Sequence, residues 1–553
     1  MCITDRMIFC RTCCANRKSG LSNKYESLPC STRQSFVLQL NTLFELIGSP
    51  FFLRNFGSNC QAIVFSCCKQ KTSQTEFIPN IVSKNPEIKM AANLFSIWFV
   101  FRKIGHISKC LLIVLLRQDR YNKVMNGSLN FLENNKDKII ELQSLLTSIP
   151  AIAPEGGGDG ELEKCQALEK WLRENGITDL QCFDSPDSRV ACGFRPNLVA
   201  TIAGEDSALG EKGSSDAAVR SNEVLPRIWV CAHMDVVPPG DLSLWKTDPW
   251  QVSRDEKDGS NGDKIYGRGV EDNQQGLCSA VFAALYFVKN GIKPKHTIKL
   301  LFVADEENGS THGMLYLVKN HPELIRRGDI VLIPDGGDSR GETIEIAEKN
   351  LLWLKLHVSG KQTHGSRPDN GSNACLAACA LSLTLHELEN VFNARDNLFE
   401  PNHSTFQPTK REANVGSINI IPGEDTFYMD CRILPCYPLN KVIAKIKEIV
   451  FEIERSYDVK VDVSYPQKSE SPATSENAPV VLALKSALRK VHGIEAKCIG
   501  IGGGTVGAEL RREGIDAVVW STLDDQAHQP NEYCKITNLI KDAQTLVEIF
   551  GTE

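Results

Sequence analysis

The sequence predicts an α/β body interrupted by a compact α+β insert, and three observations carry that prediction. Four short apolar runs, Arg227–Ala232, Thr297–Ala304, Asp329–Pro334 and Ala517–Trp520, are too short for ordinary helices and read as buried strands. Each run is followed by side chains able to hold a metal: His233, then Asp305-Glu306-Glu307, then Asp335, then Asp524 to His528. Between the third and fourth runs the pattern changes to a β-α-β-β-α-β order, the signature of a self-contained α+β sandwich.

A chain of 553 residues is long for one core and suggests two or three domains. Its net charge of -6 hides an asymmetry: 17 Lys and Arg stand against 6 Asp and Glu before Met125, and 45 against 62 from there on. An acidic body excludes nucleic acid as the main partner, because phosphate binding needs a basic face. Nine of the 20 cysteines fall in the first 124 residues. The other 11 form no Cys-x-x-Cys pair, so reduced thiols and a cytoplasmic location are expected.

Residues 1–124 read as a basic, Cys-rich extension, disordered or mis-assigned, with Met125 opening the functional polypeptide. Cys10, Cys13 and Cys14 resemble half a zinc knuckle, but no matching group follows. The apolar segment Leu94–Leu116 carries Arg102, Lys103, His106 and Lys109 in its middle, and each charge there costs about 2.5–3.5 kcal/mol on insertion. No membrane span is therefore expected. A secretory signal fails for want of a continuous apolar core, and a mitochondrial presequence fits the basic charge but not the cysteines or the length.

From Asn126 the elements follow in order, and residues 125–349 form the first part of the main body. Leu129–Ile149 is a predicted helix closed by Pro150, and Glu161–Asn175 a second one stopped by Gly176. Asn197–Ala203 is a predicted strand. The next, Arg227–Ala232, delivers His233 and Asp235; residues two apart in a strand share a face, so Asp235 can take a ring proton of His233 and leave the other nitrogen free for a metal. Gln274–Asn290 is a predicted helix. Asp272 stands just before it, where backbone N–H groups and the helix dipole favour a carboxylate, and a plain cap would explain it equally well.

The insert spans 350–466, with strands at Leu351–Ser359 and Lys460–Tyr465, one or two more within Ile418–Cys431, and helices at Asn373–Phe392 and Leu439–Ser456. The chain returns through the polar stretch from Ser469 to residues 467–553, the second part of the main body. There Gly502-Gly503-Gly504-Thr505 would let backbone approach a substrate.

His233, Asp272, Glu307, Asp335 and His528 make two imidazoles and three carboxylates, a mixture suited to zinc or a similar divalent ion, and enough for two ions if Asp272 bridges them. His-Met-Asp at 233–235, Gly-Arg-Gly-Val-Glu-Asp at 267–272, Asp-Glu-Glu at 305–307, the run from His364 to Ala374 and Ala-His-Gln-Pro-Asn-Glu at 527–532 resemble the M20 metallopeptidase family. Its members include acetylornithine deacetylase, succinyl-diaminopimelate desuccinylase, carboxypeptidases and dipeptidases. The resemblance covers residues 126–553.

The resemblance implies a zinc-exopeptidase-like catalytic domain, with a mixed sheet between helices and a ferredoxin-like inserted domain that serves as lid or dimerisation unit. It implies an enzyme that cleaves the amide bond of an N-acyl amino acid or short peptide, by attack of a metal-bound hydroxide. Two divalent ions are implied, zinc first, with cobalt or manganese as substitutes. His233 and Asp335 would hold one, Glu307 and His528 the other, and Asp272 both. Glu306, left without a metal, would be the general base and Asp235 the orienter of His233. His364 would stabilise the oxyanion, often across a dimer interface, and Arg432 and Asn414 would contact the substrate, with Gly503 and Thr505 beside them. A homodimer is expected, with no membrane partner. The competing expectation is a non-catalytic binding protein on the same fold; a phosphate-cofactor enzyme is weakest, since no dinucleotide fingerprint follows a strand.

Overall fold

The computed structural model describes residues 125, 127–205, 226–254, 257 and 259–551. They all lie in the second of the two units into which the chain divides, Asp119–Glu553. The predicted extension, including Cys10, Cys13, Cys14 and the segment Leu94–Leu116, lies outside the described residues.

Eight strands form the larger sheet, in the order Leu180–Pro186, Phe194–Ile202, Ile298–Val303, Ile228–His233, Ile330–Asp338, Ala517–Thr522, Thr343–Glu348 and Lys497–Ile501. The four apolar runs singled out in the sequence are its centre, and all four run parallel. The first two strands join them antiparallel, and Thr343–Glu348 pairs antiparallel with Ala517–Thr522, so the sheet is mixed. Parallel strands end on one edge. That alone gathers His233, the Asp305 turn, Asp335 and the loop to His528 at the same rim.

Both faces of the sheet are covered, which is why the central strands carry no polar alternation. Ile228, Val230 and Ala232 enter one apolar cluster, while Trp229 and Cys231 enter the other, with Met314, Leu317 and Leu510. Behind the first face runs the helix Gln274–Lys289, in which every residue from Gln274 to Phe287 is buried. It packs against the strands on one side and against the helices Lys136–Thr147 and Ile536–Gly551 on the other, so it is apolar nearly all round.

Some predicted boundaries shift. The single helix expected over Leu129–Ile149 is interrupted at Asn135, whose amide donates to the Phe131 carbonyl at 2.7 Å and competes with the helical ladder. The expected helix Asn373–Phe392 is Ala374–His386 followed by the short Leu388–Val391. Three strands of the larger sheet are absent from the sequence reading. Leu180–Pro186 and Lys497–Ile501 are its outer edges, and Thr343–Glu348 hides two acids, Glu345 and Glu348, in the interior.

The second sheet has four antiparallel strands, in the order Thr405–Arg411, Glu424–Ile433, Asn350–Ser359 and Lys460–Ser469. Ala374–His386 and Leu439–Tyr457 close one face and share its own core, with Leu354, Leu356, Leu381, Phe406 and Ile446. Thr405–Arg411 is the strand the sequence reading misses. It is a polar edge strand with a bulge beside Pro408, which is where proline is tolerated in a sheet. The strand predicted over Lys460–Tyr465 continues to Ser469 past an irregularity between Ser464 and Gln467. Ser471 N donates to Asn350 Oδ1 at 2.9 Å, so the two crossings between the sheets are tied together. Among the described residues no helix is long and apolar enough to cross a membrane.

Candidate metal centre

His233 is the last residue of its strand and is buried. Its Nδ1 lies 2.9 Å from the carbonyl oxygen of Asp235. A carbonyl can only accept, so Nδ1 carries a hydrogen and Nε2 is the nitrogen left for a metal. That Nε2 lies 3.0 Å from Asp272 Oδ1 and 3.5 Å from Asp335 Oδ1. Asp335 sits on the neighbouring parallel strand, and its Oδ1 accepts from Asn273 Nδ2 at 2.6 Å. Gly276, one turn into the helix, lets the backbone reach Pro334 beside it; a Cβ there would stand 2.5 Å from the Pro334 carbonyl.

The other oxygen of Asp272, Oδ2, lies 3.1 Å from His528 Nε2, and the same nitrogen lies 2.9 Å from Glu307 Oε2. His528 adopts a left-handed backbone conformation in the loop after Ala517–Thr522, and its side chain is 55% exposed. Asp272 and Glu307 push its pKa up to about 10. Burial alone would raise Asp272, yet the two imidazoles hold its carboxyl well below the ordinary range.

Glu306 and Glu307 open a short 3-10 turn after Asp305. Their amides donate to the two oxygens of Asp235, at 3.1 Å to Oδ1 and 3.0 Å to Oδ2. The carboxylate expected to orient His233 therefore grips the following turn, while its Oδ1 is 3.5 Å from the His233 Nδ1. Asp235 lies beyond the end of the strand, so the shared-face argument does not govern it. The side chain of Glu306 belongs to neither cluster of ligand atoms. Burial and the charges of Asp335, Asp235 and Glu307 raise its pKa well above that of a free carboxyl, against the opposing pull of His233.

Among the described residues two groups could hold a metal ion: His233, Asp272 and Asp335, and Asp272, Glu307 and His528. Within each, the ligand atoms lie within 4.8 Å of one another, and Asp272 serves both. The donors are imidazole nitrogen and carboxylate oxygen only, the set that zinc-class ions take. Five carboxylates crowd this rim, counting Asp235 and Glu306, and such crowding calls for cationic compensation. The residues fit a pair of divalent ions.

A comparison with protein families decides the kinship: residues 229–551 match peptidase family M20/M25/M40. The chain belongs to that family. An uncharacterized metallohydrolase of Methanocaldococcus jannaschii is 37% identical to this M20 chain over 429 residues, covering 75% of it and 98% of the relative. A succinyl-diaminopimelate desuccinylase of Rickettsia bellii is 27% identical over 322 residues, covering 57% and 78%. Among solved structures, aminopeptidase PepT of Bacillus cereus shares the fold with a TM-score of 0.59 at 20% identity, over 75% of this chain and 98% of that one. A dinuclear metal binding M20 peptidase of Bacillus subtilis shares it with a TM-score of 0.51 at 15% identity, over 75% and 98%.

The remaining residues singled out by sequence lie elsewhere in this M20 chain's structure. His364 is exposed on a two-residue strand of the insert, its Nδ1 2.8 Å from Ser366 Oγ. Arg432 pairs with both oxygens of Asp430 and donates to the Gly502 carbonyl at 2.6 Å. Asn414 donates to Asp425 at 2.8 Å. Thr505 caps the helix Val506–Arg512 and donates to Glu348 at 2.6 Å, and Gly503 faces open space apart from the tip of Ile501.

Sequence reasoning overlooked the buried supports. Glu161 and Arg195 form a fully buried ion pair behind the Asp305 turn, with Asp305 3.4 Å from the guanidinium. Lys164 is buried in the same region, where loss of water brings it down to about 8. Arg195, next to a largely apolar run, was the one visible signal.

Proposed function

We propose that this chain hydrolyses the amide bond of an N-acyl amino acid or short peptide using two divalent ions, zinc first and cobalt or manganese as substitutes. The observation that carries the reading is the pair of ligand groups sharing Asp272, with Glu306 beside both and committed to neither. His233 and Asp335 would hold one ion, Glu307 and His528 the other, and Asp272 both. Once bound, such a pair supplies Lewis acidity for the scissile carbonyl and makes water acidic near neutral pH.

Glu306 then acts as general base. It takes the proton of the attacking water and passes it to the leaving amine, a role worth roughly 100- to 10,000-fold. Burial among its neighbouring carboxylates raises its pKa, which strengthens it as a proton acceptor. Asp235 holds the turn that aims it. Asp235's carbonyl fixes the His233 tautomer that turns Nε2 toward the metal. For the substrate's carboxylate we propose the neighbourhood of Arg432, which reaches from the smaller sheet to the loop holding Gly503 and Thr505. His364 is proposed as the oxyanion donor, brought in by closure of the insert or by a second copy.

A homodimer is the proposed assembly, supported by Leu376, Leu383 and Phe451, which expose 56%, 69% and 60% of their surface on the helices of the insert. Eleven free cysteines among the described residues support a reducing, cytoplasmic setting.

The test is a hydrolysis panel of N-acetyl and N-succinyl amino acids against dipeptides, each with zinc, cobalt or manganese. Chelator-sensitive turnover of one class is expected. Binding without turnover across the whole panel would instead make the chain a non-catalytic binding protein.

A further inference from the structure

Two buried glutamates outside both ligand groups tie the loop of Asp272 to the loop of His528, and they do so in opposite directions. Glu532, fully buried four residues after His528, accepts from Arg268 Nη1 at 2.7 Å and from the amides of Gly269 at 2.9 Å, Glu271 at 2.9 Å and Asp272 at 3.1 Å. Glu271, 3% exposed and one residue before Asp272, reaches back across the same boundary. Its oxygens accept from the Asp524 amide at 2.8 Å and from the Gln526 amide.

The two ties act on different ligands. Those of Glu532 end on the backbone of Asp272, which serves both metal groups. Those of Glu271 end two residues before His528, which serves one group only. The backbone of Glu271 is itself held by Glu532, so removing the Glu271 carboxylate leaves the Asp272 segment anchored. Among the described residues His528 has no comparable support: its side chain is 55% exposed and meets only the two carboxylates it would share a metal with.

We propose that Glu271 is a positioning residue for one of the two metal positions. It holds the turn at 524–526 so that His528 Nε2 stays against Asp272 and Glu307, and it leaves the position built from His233, Asp272 and Asp335 untouched. This rests on the dinuclear reading above. Glu271→Gln keeps the size of the side chain but offers one carbonyl oxygen and an amide N–H to two N–H donors that need two acceptors.

The experiment is a cobalt titration of metal-stripped full-length protein, followed by visible absorption and calorimetry, with far-UV circular dichroism to confirm folding. The wild type is expected to take up two equivalents. Glu271→Gln is expected to bind the first with affinity within about threefold of wild type and the second about 10- to 100-fold more weakly, the usual scale for a residue supporting a ligand. Should that variant fail to fold, Glu271→Asp, too short to reach both amides, carries the same expectation. Equal weakening of both equivalents, or no weakening of either, overturns the proposal while leaving the dinuclear reading intact. A wild type that binds fewer than two equivalents overturns the dinuclear reading and this inference with it.

Discussion

The carboxylate of Asp235 accepts from the Glu306 amide at 3.1 Å, and that bond links the second residue after the first imidazole to the turn that bears the proposed base. A side chain that merely fixed a histidine tautomer would be replaceable, since the Asp235 carbonyl already accepts from His233 Nδ1. Holding Glu306 and Glu307 is a separate task. Asp235→Asn turns one acceptor into a donor facing an N–H group, so metal affinity or kcat should fall about 10- to 100-fold without abolishing the site. Steady-state kinetics beside metal analysis checks this, and an Asn variant as active as wild type would reduce Asp235 to a packing residue.

Glu306→Gln removes the proton acceptor and keeps the shape. The variant should retain its full metal content and lose about 100- to 10,000-fold in kcat. Loss of metal together with activity would instead make Glu306 a ligand.

Behind that turn, Arg195 is buried with Glu161 and reaches Asp305. Arg195→Met should destabilise the fold by about 3–5 kcal/mol, because the buried Glu161 loses the guanidinium it is paired with. Pairing it with Glu161→Leu should recover much of the loss. Urea unfolding of the two variants separates a buried unpaired charge from simple loss of packing.

The folded state should also weaken in mild acid at a site far from the metal centre. Burial, reinforced by Lys541, brings His492 down to about 4 from 6.5, and its Nε2 lies 3.2 Å from the Lys541 carbonyl. Between those values the unfolded chain binds a proton that the native chain refuses, so stability falls as pH drops from 6.5 toward 4. The full effect is of order 3 kcal/mol. Unfolding curves across that interval should be less steep in pH for His492→Gln than for wild type.

Much of this was legible in the sequence because the central strands are buried on both faces. Ile228–His233 and Ile298–Val303 spell their apolar character with Lys299 as the one polar residue before the ends, and parallel pairing then fixes where His233 and Glu307 must emerge. Elements at edges were not legible. Thr405–Arg411 buries one residue of seven, so its sequence looks like a loop. Charged residues that work in the interior were invisible for the opposite reason: Glu345 and Glu348 make Thr343–Glu348 look solvent-facing, although Glu348 is satisfied by Arg511 and Thr505 across the sheet. The candidate ligands His233, Glu307, Asp335 and His528 could be read because they recur in order at or after strand ends, and Asp272 because it stands just before a helix. Glu271 and Glu532 could not, because their partners are backbone amides, which leave no trace in side-chain pattern.

Metal dependence of hydrolysis tests the central claim most directly. Purified protein should contain close to two transition-metal ions per chain by elemental analysis, lose amide hydrolysis when a chelator removes them, and regain it when zinc, cobalt or manganese is returned. Hydrolysis that persists after complete metal removal, or a chain that holds fewer than one ion and cleaves no amide, would contradict it.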